Sequence, residues 1–271
     1  MTPNYSSEHY RNCIRQALDL ADELATQAIA TEHQYFKKGI RDFALDTDHN
    51  IERQLQTLLT KLTPDIPVLG EESFIKDATL PPNFWIIDPI DGTVNFSRQL
   101  PLFGITIALI VNSQAIAAGI SFPNLRERYE AIKDHGATLN GSPLKISQTH
   151  NIKDAIIGLG DFSTGKQAIV KHKLTHNLLQ HYAGHCLRIR MLGSAALQLA
   201  WLAAGRLDLS ITLSNKPWDV QAGKLLVSEA GGRVFDYDGS THNLNSRFTL
   251  GSNTHLSPQL IDALQRFAVN Q

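Results

Sequence analysis

The residue pattern predicts a layered α/β fold built from two subdomains, residues 1–150 and 151–271. Three observations carry it. Two amphipathic helical stretches and then a run of strand-like segments fill the first half. Strand and helix alternate after about residue 150, and no linker or low-complexity stretch separates the halves cleanly. With 271 residues the chain can bury one large core or two small ones.

The elements follow in order. Ile14, Leu18, Ala21, Ala25 and Ala28 recur at helical spacing, with Ser6 or Ser7 as N-cap. A second helix, carrying Ile51, Leu55, Leu58 and Leu62, is expected after Asp48. Residues 104–111 and 115–122 flank Asn112-Ser113-Gln114 and read as a hairpin, and 128–132 and 137–139 repeat that pattern. In the second half, 155–159 reads as a strand, 166–181 as a helix, and 194–204 as a helix stopped by Gly205. A strand over 207–213, a helix over 218–230 and a final helix from Ser257-Pro258 complete the reading.

Composition narrows the function classes. A formal net charge of -1 leaves no basic footprint for nucleic acid and no polybasic membrane patch. Residues 1–8 lack the basic and apolar regions of a secretory signal, and the longest apolar run, 104–111, is too short to span a bilayer. A cytoplasmic protein is expected. Cys13 and Cys186 have no metal-ligand spacing and read as reduced thiols.

Residues 84–96 carry the chemistry. The apolar run Phe84–Ile87 reads as a buried strand that ends on Asp88 and Asp91, wrapped around Pro89, with Gly92-Thr93 next. Carboxylates at a strand end beside free backbone amides suit hard cations and a bound anion, which is what metal-assisted phosphate chemistry requires. Two further acidic segments sit where elements end or begin. Gly70-Glu71-Glu72-Ser73 follows the apolar stretch 66–69, and Pro217-Trp218-Asp219 opens a helical segment.

These three segments, in this order and spacing, resemble the inositol monophosphatase family of magnesium-dependent, lithium-sensitive phosphatases. The resemblance runs from Lys37 to about Gly251, with weaker support from residues 136–141 and 193–196. It implies sugar-phosphatase-like alternating layers of helices and mixed sheets, two to three Mg²⁺ ions, a small phosphorylated polyol or sugar as substrate, and a homodimer. It also implies roles. Glu71, Asp88 and the Ile90 carbonyl would hold one ion, Asp88, Asp91 and Asp219 a second, and Glu71 a weaker third. Thr93 would position the attacking water, with Asp48 orienting Thr93, and Gly92 and Thr93 would bind phosphate oxygens through their amides. From the residues alone Asp48 is a helix N-cap and Lys37 a surface charge; by resemblance Lys37 would approach the metal site. Ser194 and Ala195 would admit a polyol ring close to the backbone.

The chain departs from the family in two places. Where the family has Asp-x-Val-Thr-x-x-Asp, this chain has Leu45 in place of the threonine and an extra Asp46, so a slipped register would turn Asp46 towards Thr93. Thr212 stands where animal members have a glutamate that grips ring hydroxyls, and Asp161 is the nearby carboxylate that would compensate. Thr212 weighs against inositol specificity, but Asn95-Phe96 and the short loops resemble the inositol-phosphate type, so inositol-1-phosphate is the favoured substrate, with histidinol phosphate, fructose-1,6-bisphosphate or a non-catalytic interaction role as alternatives. Residues 160–166 imitate a nucleotide P-loop, but Gln167 stands where Ser or Thr must hold Mg²⁺. His172, His176, His181 and His185 read as solvated helix histidines rather than a transition-metal face.

Overall fold

Trp85 and Ile87 join one apolar cluster and Phe84 and Ile86 another, so a single strand feeds two cores through its two faces. The computed structural model describes residues 5–29, 31–39, 42–75, 79–164 and 168–268. Along the chain these form α1 (Ser7–Ala28), β1 (Tyr35–Gly39), β2 (Asp42–Leu45), α2 (Asp46–Leu62), β3 (Val68–Gly70), β4 (Asn83–Asp91) and α3 (Thr93–Ser97). Strands β5 (Gly104–Val111), β6 (Gln114–Phe122), β7 (Glu127–Ile132), β8 (Ala137–Leu139) and β9 (Ser142–Pro143) follow. The second half contains β10 (Ile156–Leu159), α4 (Ala168–Ala183), β11 (Arg188–Arg190), α5 (Ala195–Ala203), β12 (Leu209–Thr212), α6 (Pro217–Glu229), β13 (Arg233–Phe235), β14 (Thr249–Ser252) and α7 (Ser257–Ala268).

Strands β3 to β9 make one seven-stranded sheet in sequence order, antiparallel except for the β3–β4 pair. A five-stranded mixed sheet has the order β11-β10-β12-β14-β13. Helices α1 and α2 cover one face of the first sheet. Helices α5 and α6 cover its other face and separate it from the second sheet, whose outer face carries α4 and α7. The result is five alternating layers, and the core between the sheets is shared by residues from both halves of the chain.

Close layering has a local cause. Gly158, Ser210 and Gly251 are paired across β10, β12 and β14, forming a row of small residues under α5. A Cβ at Gly251 would fall 2.5 Å from Leu202 Cδ2, so a larger residue would have to displace the Leu202 side chain of α5. The β5–β6 hairpin turns on Asn112 (φ 48°) and Ser113 (φ 64°), two left-handed residues whose twist suits a two-residue connection.

Several boundaries differ from the sequence expectation. Helix α2 begins at Asp46, two residues before Asp48, and Ser6 is the cap of α1, accepting from the His9 N–H. Strands β1, β2, β11, β13 and β14 had no counterpart in the reading; each is short, and β11 alternates exposed arginines about Ile189. No described helix is long and apolar enough to cross a membrane.

Candidate active site

Asp88 and Asp91 are three residues apart, so regular alternation would send them to opposite faces of the sheet. Strand β4 prevents this with a bulge. Asp88 pairs with Thr106 and Asp91 with Gly104, so β4 holds one residue more than β5 across that interval. Pro89, which has no N–H to give the ladder, sits within it. Both carboxylates therefore line one cavity of ≈ 230 Å³, with Glu71, Ile90, Gly92, Thr93 and Asp219.

Glu71 follows β3, and its N–H donates to the Ile87 carbonyl at 3.1 Å, which ties the turn to the neighbouring strand. Asp219 occupies the first turn of α6, where the helix dipole favours a negative charge. Glu71, Asp88 and Asp219 each offer an oxygen, and these atoms all lie within 4.8 Å of one another. Asp91 stands slightly apart from this trio. Its Oδ2 accepts from the Ser194 hydroxyl and, at 2.8 Å, from the Ala196 N–H at the start of α5.

Packing acids this closely is costly, and their protonation reflects it. Burial, reinforced by Glu71, Asp219 and Asp91, pushes Asp88 well above the ordinary carboxylate range. Asp219 rises likewise through burial, although Lys216 opposes the shift. Burial raises Asp91 to about 6 despite the Ser194 and Ala196 hydrogen bonds. Burial also opposes ionisation of Glu71, but Lys216 and Lys38 outweigh it and hold that carboxyl below its usual range. Lys38 Nζ is 3.1 Å and Lys216 Nζ 3.2 Å from Glu71 Oε1. An all-oxygen donor set that resists ionising together, with ammonium groups lodged against one member, fits a hard divalent cation. The cluster is suited to hold a metal ion.

Thr93 Oγ1 lies 3.4 Å from Asp48 Oδ1 and 3.2 Å from the Ile90 carbonyl oxygen, so its single proton has two acceptors within reach. The other Asp48 oxygen accepts the Leu45 N–H at 3.0 Å. Asp48 is thus the third residue of α2, and it closes the helix start by accepting the N–H of the N-cap residue Leu45 rather than being the N-cap itself. Burial raises its pKa to about 7, against the effect of the Leu45 N–H. The register does not slip towards Asp46, whose Oδ1 accepts from the Gln34 and Thr47 N–H groups instead.

One expectation needs correcting. Lys37 is exposed on β1, and the neighbouring Lys38 meets Glu71 and Glu72. Successive strand residues face opposite sides, so a one-residue difference changes which lysine reaches the acids. Lys216 was not foreseen at all; nothing in a lysine before Pro-Trp-Asp signals that its side chain turns back across the cavity.

Gly92 caps α3 at φ 94°, a left-handed conformation that favours glycine. Gly193 (φ 71°) has no room for a side chain, since a Cβ would fall 2.8 Å from Asn95 Nδ2. Asn95 Nδ2 in turn donates to the Leu102 and Leu192 carbonyls at 2.7 and 2.9 Å, tying α3 to the segment before α5. A second cavity of ≈ 330 Å³ adjoins the first, sharing Asp91, Asp161, Gly193, Lys216 and Asp219. Ser194, Ala195 and the buried Thr212 line it, as does Lys171 from α4.

The rejected alternatives also have places. Residues 165–167 of the P-loop imitation lie outside the described residues. His172 Nε2 is 2.8 Å from the Ser163 carbonyl oxygen, while His176 and His185 each place Nδ1 against the carbonyl four residues earlier. Among the described residues these histidines form no metal-like group. Cys13 and Cys186 are free thiols.

The sequence pattern of the inositol monophosphatase family matches residues 7–267. An inositol-1-monophosphatase of Caulobacter vibrioides is 36% identical over 239 residues, 87% of this chain and 92% of that protein. A fructose-1,6-bisphosphatase/inositol-1-monophosphatase of Thermotoga maritima is 33% identical over 227 residues, 83% of each. Among solved structures, a Thermotoga maritima IMPase superposes with a TM-score of 0.85 at 28% identity, covering 94% of this chain and 96% of that one.

Proposed function

The chain belongs to the inositol monophosphatase family of phosphoric monoester hydrolases, and we propose that it hydrolyses a small polyol or sugar phosphate with Mg²⁺, inositol-1-phosphate being the favoured type. The convergence of Glu71, Asp88 and Asp219 carries the reading. Bound Mg²⁺ would lower the pKa of water and neutralise charge on the leaving oxygen.

Glu71, Asp88, Asp91, Asp219 and the Ile90 carbonyl would hold two to three ions. The Thr93 hydroxyl accepts a hydrogen bond from the attacking water while donating to Asp48, which orients its lone pair. The Gly92 and Thr93 amides take phosphate oxygens. Asp161, Ser194, Ala195 and Thr212 border the space for the alcohol portion. Water attacks directly, since no nucleophilic Cys, Ser or His belongs to the motif. Membership of the family also supports a homodimer, for which sedimentation equilibrium is the test.

Lys171 favours a second reading. It lines the alcohol side of the cavity, and burial and then Arg247 lower its pKa, so a second anionic group on the substrate would relieve it. A bisphosphate sugar has that group, in keeping with the name of the Thermotoga relative. A purely non-catalytic role is disfavoured by retention of every acid in the cluster and of Thr93. The test is phosphate release from a panel of mono- and bisphosphates, with Mg²⁺ and with chelator. Release from inositol-1-phosphate only with Mg²⁺ is expected; no Mg²⁺-dependent release from any member would sink the reading.

A further inference from the structure

Helix α2 presents Asp48, Glu52 and Gln56 at four-residue spacing, one polar ridge on one face. Asp48 reaches Thr93. One turn on, Glu52 is only 3% exposed, and among the described residues it enters no ion pair with a lysine or arginine. A buried carboxylate without a cation is expensive unless strong donors satisfy it. Glu52 has one: its Oε2 accepts the Glu72 backbone N–H at 2.7 Å. Gln56 Nε2 extends the contact, 3.3 Å from Glu52 Oε1 and 2.9 Å from Ser73 Oγ.

The same carboxyl packs directly on the residue preceding Glu71. A Cβ at Gly70 would fall 2.1 Å from Glu52 Cδ. Glu52 therefore touches the turn on both sides of Glu71, at the Gly70 backbone and at the Glu72 amide. A leucine would fill the space without the desolvation cost, so packing alone does not explain the acid.

We propose that Glu52 is a positioning residue that sets the Gly70–Ser73 turn and thereby aims Glu71 into the metal cluster. This rests on reading Glu71 as a metal ligand. The mechanism is the 2.7 Å hydrogen bond that the Glu72 N–H donates to the Glu52 carboxyl. Glycine at position 70 is required because any side chain there displaces the carboxyl.

The test measures Mn²⁺ binding to the substrate-free protein by electron paramagnetic resonance, with amide exchange of the 68–75 peptide alongside. Glu52→Leu should weaken Mn²⁺ binding by about 10-fold or more, the usual range for an outer-shell partner, and should speed exchange in that peptide. Glu52→Gln retains an acceptor for the Glu72 N–H and should restore most of both. Gly70→Ala, which leaves Glu52 in place but displaces its carboxyl, should imitate Glu52→Leu and decides the matter if the leucine variant does not fold. Wild-type Mn²⁺ affinity in folded Glu52→Leu or Gly70→Ala, with Glu71→Gln weakened, would overturn the positioning role alone. Wild-type affinity in Glu71→Gln as well would overturn the metal reading on which it rests.

Discussion

Lys216 Nζ lies 3.2 Å from Glu71 Oε1, an ion pair spanning 145 residues of chain and both cavities of the site. Lys216 also sits over the Trp218 ring, 5.9 Å from its centroid. A cation so placed steadies the acids when no metal is bound and repels a metal that arrives.

Lys216→Met should therefore move two quantities in opposite directions. The pair is partly exposed, so about 1 kcal/mol is at stake, enough to lower the metal-free melting temperature by ~2–4 °C. The Mg²⁺ concentration for half-maximal activity should fall by ~3- to 10-fold as the competing charge disappears. Melting in chelator and a Mg²⁺ titration of activity check both. A rise in the Mg²⁺ requirement would mean Lys216 assists metal binding rather than opposing it.

The pH dependence of stability has a definite sign. Asp88 and Asp219 are raised well above their ordinary range, Asp91 to about 6 and Asp48 to about 7. Unfolded Asp titrates near ~4, so the folded metal-free protein holds protons that the unfolded chain releases. The share from Asp91 and Asp48 is fully present below the unfolded pKa and is lost as pH rises through about 6 to 7. Mg²⁺ would bind the ionised acids, so the rise in melting temperature on adding Mg²⁺ should be larger at pH 8 than at pH 5. Equal rises at the two pH values would contradict the raised pKa values.

Asp91→Asn tests the cluster without changing side-chain size. The amide oxygen still accepts from Ser194 and Ala196, so the fold should persist. Turnover should drop by ~10²-fold or more through loss of a charge facing the reacting group. Phosphate release by the purified variant, with circular dichroism as control, gives the answer. Near-wild-type activity in a folded variant would remove Asp91 from the machinery.

Thr212→Glu addresses specificity. Thr212 ends β12 at the wall of the second cavity, where a carboxylate would accept hydrogen bonds from the vicinal hydroxyls of a bound polyol ring. The kcat/KM ratio of inositol-1-phosphate to glycerol-2-phosphate should rise by about 10-fold, the low end of what paired hydroxyl recognition contributes. An unchanged ratio would show that Thr212 does not face the ring.

What the sequence determined by itself is the part written in local chemistry. The strand ending on Asp88-Pro89-Ile90-Asp91, the Gly70-Glu71-Glu72 turn and the Pro217-Trp218-Asp219 helix start are readable because cap residues, proline and apolar periodicity act over a few positions. Helices α1, α5, α6 and α7 and the β5–β6 hairpin were legible for the same reason. The tertiary structure decided what depends on direction. A bulge turns Asp91 to the same side as Asp88, and strand alternation selects Lys38 over Lys37. The fold returns Lys216 to Glu71, and helix register brings Glu52 under the Glu72 amide. Short strands such as β11 and β13 gain their identity from neighbours far along the chain. Sequence spacing specifies which residue types are present; only packing fixes where a flexible lysine or a three-residue strand comes to rest.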